Sequence, residues 1–331
     1  MSFTRLRDVA DKTGFSINTV SRALKGKSDI GVATQKRIKQ IADELGYVPH
    51  AAAASLRNKS TKTFGVILTY MDNPFYSRIL NGINSALLKH GYTALTWGNN
   101  EDIEREQQIL RTFISYRVDG ILIVPARNLI REIDYDNLNI CHMTIVRQGP
   151  QNCKDHFVID SRRSGVLVAR HFLEKGRKKP AYIGMNIPVS CDRDRWLGYK
   201  ETYEEAGILP FKRNLKGSVP SSKEAYLALK RLVEEKVSFD CLFVGNDQLA
   251  FGVLRALHDL GIRVPEEVAV VGHDDVESAQ FATPSLSTVR VPKFRLGFES
   301  TEALIEMIRK GKEHQGMARV YEPNLIVRET S

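Results

Sequence analysis

The sequence predicts an all-α head joined to a larger α/β body of two lobes built on parallel sheets. Three observations lead there. Basic charge is concentrated in the first 62 residues, where apolar side chains recur at helix spacing. From Phe64 onward, short apolar runs alternate with amphipathic helices, the pattern of parallel strands covered by helices. There are about nine such runs, too many for one compact unit in a chain of 331 residues.

Composition narrows the class. The hydrophobic fraction of 42% is that of a globular protein. No segment approaches the roughly 20 apolar residues of a membrane helix. No apolar stretch follows the first charges, so no signal peptide is expected and the cytoplasm is the expected location. Cys141, Cys153, Cys191 and Cys241 are widely spaced and expected to be reduced, and no metal or cofactor is expected. Residues 1–62 hold 12 Lys and Arg against 5 Asp and Glu, while the rest of the chain holds 36 against 34. A basic head on a nearly neutral body points to a contact with nucleic acid or an anionic membrane. A solvated basic tail would lack the head's ordered periodicity.

In the head, Leu6, Val9 and Ala10 predict a helix beginning near Thr4. Gly14 suits a left-handed helix exit. Ser16 is the expected N-cap of a second helix with Val20, Ala23 and Leu24 inward and Ile17, Asn18, Ser21 and Arg22 outward. A third helix is expected from about Ala33, with Ile38, Ile41, Ala42 and Leu45 as its apolar face. Two short helices joined by a Gly-containing turn form the helix-turn-helix pattern. Arg22 suits guanine and Asn18 suits adenine, while Thr4, Thr19, Ser21 and Thr34 suit phosphates. A small helical bundle without nucleic acid is the plainer alternative.

The segments Leu6–Ala10, Gly14–Leu24 and Glu44–Pro49 together resemble the head of the lactose-repressor/galactose-repressor family, with matching spacing. Lys25 departs from the family's usual Asn, leaving a phosphate contact there. The candidate DNA-contacting set in the head is Thr4, Leu6, Ser16, Ile17, Asn18, Thr19, Ser21, Arg22, Lys25 and Thr34. After Pro49, the run from His50 to Arg57 favours a short helix. The resemblance implies a hinge helix that pairs across a dimer on DNA and inserts Leu56 into the minor groove, with Arg57 near phosphate. A flexible Ala-rich connector is the alternative.

In the body, strands are expected at Phe64–Tyr70, Thr93–Gly98, Gly120–Pro125, Cys141–Val146, Phe157–Asp160, Ala181–Gly184, Cys241–Gly245, Val268–Gly272 and Thr288–Val291. Helices are expected at Ser77–His90, Ile103–Tyr116, Ser164–Lys175, Arg195–Ala206, Lys223–Glu235, Asp247–Leu260 and Lys293–Lys310. Ligands of such sheets bind beyond the carboxyl ends of the strands. Polar candidates just past strand ends are Asp72, Asn73, Arg147, Asp160, Asn246 and Asp274, with Phe75, Trp97 and Trp196 as aromatic platforms. A strand-end Asp or Asn can instead cap the next helix, an explanation that suits Asp247 and, less firmly, Asp72.

The resemblance continues through Asn73–Tyr76, Val118–Ile121, Asp192–Tyr199, Phe243–Gly252 and Val270–Asp275. It implies a two-lobed fold like that of periplasmic sugar-binding proteins, with three chain crossings and a ligand between the lobes. Arg195, Asn246 and Asp274 match the family's main ligand-contacting positions, Phe75 a pocket aromatic, and Asp160 a weaker pocket position. His273 and Trp196 depart from the family's usual residues, so ligand identity does not carry over. The implied organisation is a head (1–48), a hinge and linker (49–63) and an effector-binding body (64–331). Lobe 1 is expected over about 64–161 and 293–320, and lobe 2 over about 162–292 and 321–331.

The expected function is a transcriptional regulator that binds a palindromic operator as a homodimer and answers to a sugar-like effector. Tetramer-forming relatives add a leucine heptad tail, whereas this sequence stops three residues after Arg328, so a dimer is expected. An enzyme is the competing class, but no phosphate loop, nucleophile elbow or metal cluster is present. A transport-type sugar-binding protein would not need the head.

Overall fold

The computed structural model describes residues 4–48, 60–126, 135–149, 154–185, 189–215, 220–311 and 316–331. The chain divides into two compact units, Met1–Thr61 and Lys62–Ser331.

The head has three helices, α1 (Leu6–Thr13), α2 (Ile17–Leu24) and α3 (Val32–Glu44). Val9, Ala10, Val20, Ala23, Ile38 and Ala42 close into a core of their own, with Leu6, Phe15 and Leu45 packed on it. The first helix begins one residue later than its sequence suggests. Arg5 is the N-cap, and its amide donates to Asp8 Oδ2 at 2.7 Å. Gly14 ends α1 at φ 75°, a conformation that a side chain would strain.

The body alternates strand and helix: β1 (Thr63–Leu68), α4 (Pro74–Lys89), β2 (Thr93–Gly98), α5 (Ile103–Ser115), β3 (Gly120–Ile123), β4 (His142–Val146), β5 (His156–Ile159), α6 (Ser161–Glu174), β6 (Pro180–Gly184), α7 (Ser190–Glu205), β7 (Phe211–Asn214), α8 (Ser222–Glu234), β8 (Cys241–Val244), α9 (Asp247–Asp259), β9 (Ala269–Asp274), β10 (Ser287–Arg290), α10 (Lys293–Lys310), β11 (Ala318–Tyr321) and β12 (Asn324–Ile326). One sheet runs β11-β5-β4-β3-β1-β2 and the other β12-β10-β9-β8-β6-β7. All pairings are parallel except β10 with β12. The first sheet defines lobe 1 and the second lobe 2. The chain crosses between them after β5, after β10 and after β11.

Central strands such as β3 and β8 are wholly buried, because helices cover both faces. Three short edge strands, β7, β11 and β12, were not expected from the sequence. β7 and β11 carry basic residues in place of an apolar run, and β12 is only three residues long. Three helix pairs cross at backbone distance, among them α8 with α9 at Gly252. A Cβ on Gly82 of α4 would lie 2.1 Å from the Phe294 carbonyl oxygen of α10, and one on Gly165 of α6 would lie 2.1 Å from that of Arg195 in α7.

Candidate nucleic-acid interface and ligand cleft

In the head, the Ser16 hydroxyl accepts from the Thr19 amide at 3.1 Å and shares a hydrogen bond with the Thr19 hydroxyl at 2.8 Å. This caps α2 and sets its face. Ile17, Asn18, Arg22 and Lys25 are exposed, while Ser21, Thr19 and Thr34 are half-buried. Leu6 packs on the head core, and the Thr4 hydroxyl donates to the Leu45 carbonyl at 2.8 Å, tying the start of α1 to the end of α3. Asp29 is a residue that the sequence reading missed. It accepts from Arg22 Nε at 2.8 Å and Nη2 at 2.7 Å. That hydrogen bond lifts the Arg22 guanidinium pKa and lowers the Asp29 carboxyl. A short exposed loop thus holds the long Arg22 side chain on the outer face of α2. Leu56 and Arg57, with the rest of the expected hinge helix, lie outside the described residues.

In the body, the two lobes face each other across a cleft at the carboxyl ends of both sheets. Asn73, Phe75 and Arg147 line it from lobe 1, and Arg195, Asn246 and Asp274 from lobe 2. These are six of the ten residues expected there. The cavity between the walls is about 40 Å³. Pockets for small molecules run to roughly 300–1,000 Å³. A sugar-sized occupant therefore requires the lobes to move apart.

The remaining four are not among the residues that line this cavity. Asp72 is exposed and outside the cavity wall. Trp97, on the edge strand β2, stacks on Phe113 of α5 with centroids 5.3 Å apart and is 41% exposed. Asp160 caps α6, accepting from the Arg163 amide at 2.8 Å. Trp196 turns away from the cleft to pack beside Tyr182 in the lobe 2 core. Capping also explains two residues that do reach the cleft. Asn73 Oδ1 accepts from Phe75 N at 2.9 Å, and Asn246 Oδ1 accepts from Leu249 N at 2.9 Å. Asp247, expected as the cap, instead accepts from the Thr288 hydroxyl and the Val276 amide, anchoring β10 and the segment after β9.

The charges in the cleft are buried and organised. Arg147 makes a two-pronged pair with Glu101, Nη1 to Oε2 at 3.0 Å and Nη2 to Oε1 at 2.6 Å, and donates to the Thr69 hydroxyl at 3.1 Å. Burial opposes the Arg147 charge most strongly, but Glu101, with Tyr76 and Cys191 beside it, holds the guanidinium pKa well above its usual value. Arg147 Nε has no hydrogen-bond partner among the described residues, and neither does Arg195 Nε. Arg195 Nη1 donates to the Gly245 carbonyl. Opposite it, the His273 ring bridges Asp274 Oδ1 at 2.9 Å and the Ser164 hydroxyl at 3.2 Å. Burial first, then the Arg195 charge, push the His273 pKa down to about 4. The ring is therefore neutral, and its Nδ1–H donates to Asp274 while Nε2 accepts from Ser164.

The backbone is held in unusual conformations at the same place. Val146 has φ 72°, Glu101 59°, Asp274 115° and Asp275 51°. A β-branched residue in that region is strained, and such strain collects where the surrounding structure fixes a binding site. Glu101, Cys191 and Met185 line the cleft but were absent from the expected set. Glu101 follows the strand β2 by three residues, a position that the strand-end rule could have flagged.

The wall offers guanidinium and amide donors, the Asp274 carboxylate, which also accepts from the His273 ring, and the rings of Phe75 and Tyr76. That set suits a small polar molecule with several hydroxyl groups and an apolar face. Among the described residues no His, Cys, Asp or Glu cluster suits a metal ion, and no helix is long and apolar enough to cross a membrane.

Known proteins show the same organisation. Residues 5–50 match the model for bacterial regulatory proteins of the lacI family, and residues 169–331 match the periplasmic binding protein-like domain. The HTH-type transcriptional repressor PurR of Vibrio vulnificus is 31% identical over 98% of each chain. A crystal structure of the lac repressor dimer bound to operator and the anti-inducer ONPF has a TM-score of 0.88 at 23% identity, over 99% of both chains. The transcriptional regulator CelR–cellobiose complex has a TM-score of 0.72 at 25% identity, over 99% of this chain and 100% of that one.

Proposed function

Because the chain belongs to the lacI family of bacterial regulatory proteins, we propose that its head reads a near-palindromic operator as a homodimer while its cleft answers to a sugar-like effector. The protein is a DNA-binding transcriptional repressor with a small-molecule effector domain, not an enzyme. The observation that carries the reading is the exposed polar face of α2 on a head with its own core.

In a dimer, two copies of α2 enter successive major grooves. Arg22 pairs with a guanine edge and Asn18 with an adenine edge. Ser21, Thr34, Lys25 and Arg57 contact phosphates, and Leu56 of the linker enters the central minor groove. Operator binding places the protein in the cytoplasm. In the body, Arg147, Arg195, Asn246 and Asp274 hold the effector's hydroxyl groups and Phe75 covers its apolar face. An effector that prefers one spacing of the lobes shifts operator affinity, and by linkage operator shifts effector affinity equally.

The test has two arms on the full-length protein. Selection from random duplexes should return a symmetric site, and recovery of no preferred sequence overturns the operator reading. Thermal unfolding against sugars, sugar phosphates, nucleosides and bases should find a stabilising ligand, worth about 2.7 kcal/mol at a hundredfold excess over its dissociation constant. The Asp274→Ala variant should lose that stabilisation and keep operator binding. An unchanged ligand response would move the effector out of the cleft.

A further inference from the structure

A second cavity, of about 790 Å³, opens where the chain crosses from β10 to α10. Lobe 1 supplies one wall from the first turns of α4 and α10. Lobe 2 supplies the other from the segment after β9 and from Arg328. Five cations line it: Arg78, Arg290, Lys293, Arg295 and Arg328. The acids in the wall are Asp275 and Glu277.

The existing pairs leave positive charge over. Asp275 accepts from both Arg290 Nε and Arg328 Nη2 at 2.6 Å, one carboxylate shared by two guanidiniums. Lys293 Nζ donates to the Asp274 and Asp275 carbonyls, and the Asp274, Asp275 and Asp247 carboxylates oppose its charge. Arg295 is matched by Glu299 at 2.7 Å. Arg78 lies over the Phe294 ring, 5.4 Å from its centroid, and has no carboxylate partner among the described residues. Neither α4 nor α10 has an acidic residue in its first turn, so no carboxylate there offsets the local positive charge. Four of the five cations are arginines, whose planar forks fit phosphate oxygens two at a time.

We propose that this cavity is a second ligand site, separate from the cleft, for a small molecule that carries a phosphate group. The phosphate sits between Arg78 on lobe 1 and Arg290 on lobe 2. Such a ligand touches both lobes next to a crossing segment. It therefore favours one lobe spacing over another and is coupled to whatever occupies the cleft. A neutral sugar has no equivalent hold there.

The test is calorimetric titration of the full-length chain with inorganic pyrophosphate at fixed ionic strength, which holds general screening constant. One saturable site per chain is expected. In the double variant Arg78→Gln/Arg290→Gln the dissociation constant should rise at least tenfold. Arg328 still pairs with Asp275 in that variant, and its unfolding midpoint checks the fold. The single variant Arg78→Gln, which breaks no ion pair, should raise the constant at least threefold. A constant within twofold of the parent's in both variants would assign the binding to the basic head and overturn the proposal. Absence of saturable binding by the parent overturns it too.

Discussion

Replacing Glu101 by Gln should destabilise the body severely while barely changing its shape. Glu101 and Arg147 keep only 2% and 3% of their side-chain surface exposed, so water cannot take over when one charge is removed. Gln retains one acceptor for the guanidinium but removes the compensating charge and one of the two hydrogen bonds between the pair. Stranding one partner of a buried ion pair costs about 3–5 kcal/mol. For a unit of this size each kcal/mol moves the melting temperature by about 2–4 °C. The expected drop in Tm is therefore on the order of 10 °C, read by calorimetry on the transition of the body. The double variant Glu101→Gln/Arg147→Met removes the stranded charge and should recover most of the loss. A drop below about 2 °C in the single variant would show that the pair is hydrated and contributes little. A double variant no better than the single would show that the loss comes from packing around Glu101 rather than from charge.

Three further outcomes follow from the geometry. Gly82→Ala should cost about 1–3 kcal/mol by forcing α4 and α10 apart, read as a lower urea midpoint; an unchanged midpoint would mean that the crossing is looser than described. His273 ordinarily titrates near 6.5 but in the fold only near 4, so the unfolded chain binds its proton first. Its contribution is complete above pH 6.5 and is lost as pH falls toward 4, to a limit of about 3 kcal/mol. His273→Asn should flatten the stability profile between those values, and an unaltered slope would place the acid sensitivity elsewhere. Arg22→Ala should weaken operator binding about ten- to hundredfold and relax discrimination at one base pair of each half-site; a uniform loss across all sequences would make Arg22 a phosphate contact.

Local pattern carried much of the fold. The apolar runs of β3 and β8 and the whole of α10 stand where periodicity puts them, because burial of a continuous strand or of one helix face writes directly into residue order. Edge strands escape that logic. Phe211–Asn214 pairs along one side only and keeps charged side chains, so nothing in its composition distinguishes it from a loop. Arg147, read from its place past a strand end, and Arg195, read from the family resemblance, both line the cavity. The cleft was ambiguous where two roles share a residue type. Asp160 and Asn73 both cap helices, yet only Asn73 also reaches the cavity. Trp97 and Trp196 are absent from the cavity lining, because a strand end or a helix turn gives the position of an aromatic ring but not the side it faces. Glu101 is meaningful only beside Arg147, a neighbour that the tertiary fold supplies from 46 residues further along.

The head closes its own core on Val9, Val20, Ile38 and their neighbours, and the body closes others. Substitutions that share no packing partners act nearly additively on stability. The address read on DNA and the molecule sensed in the cleft can therefore drift under separate selection. On the proposed reading, a change on the outer face of α2 redirects the protein to new genes without retuning its sensor, and a change in the cleft wall rewires its input without moving its targets.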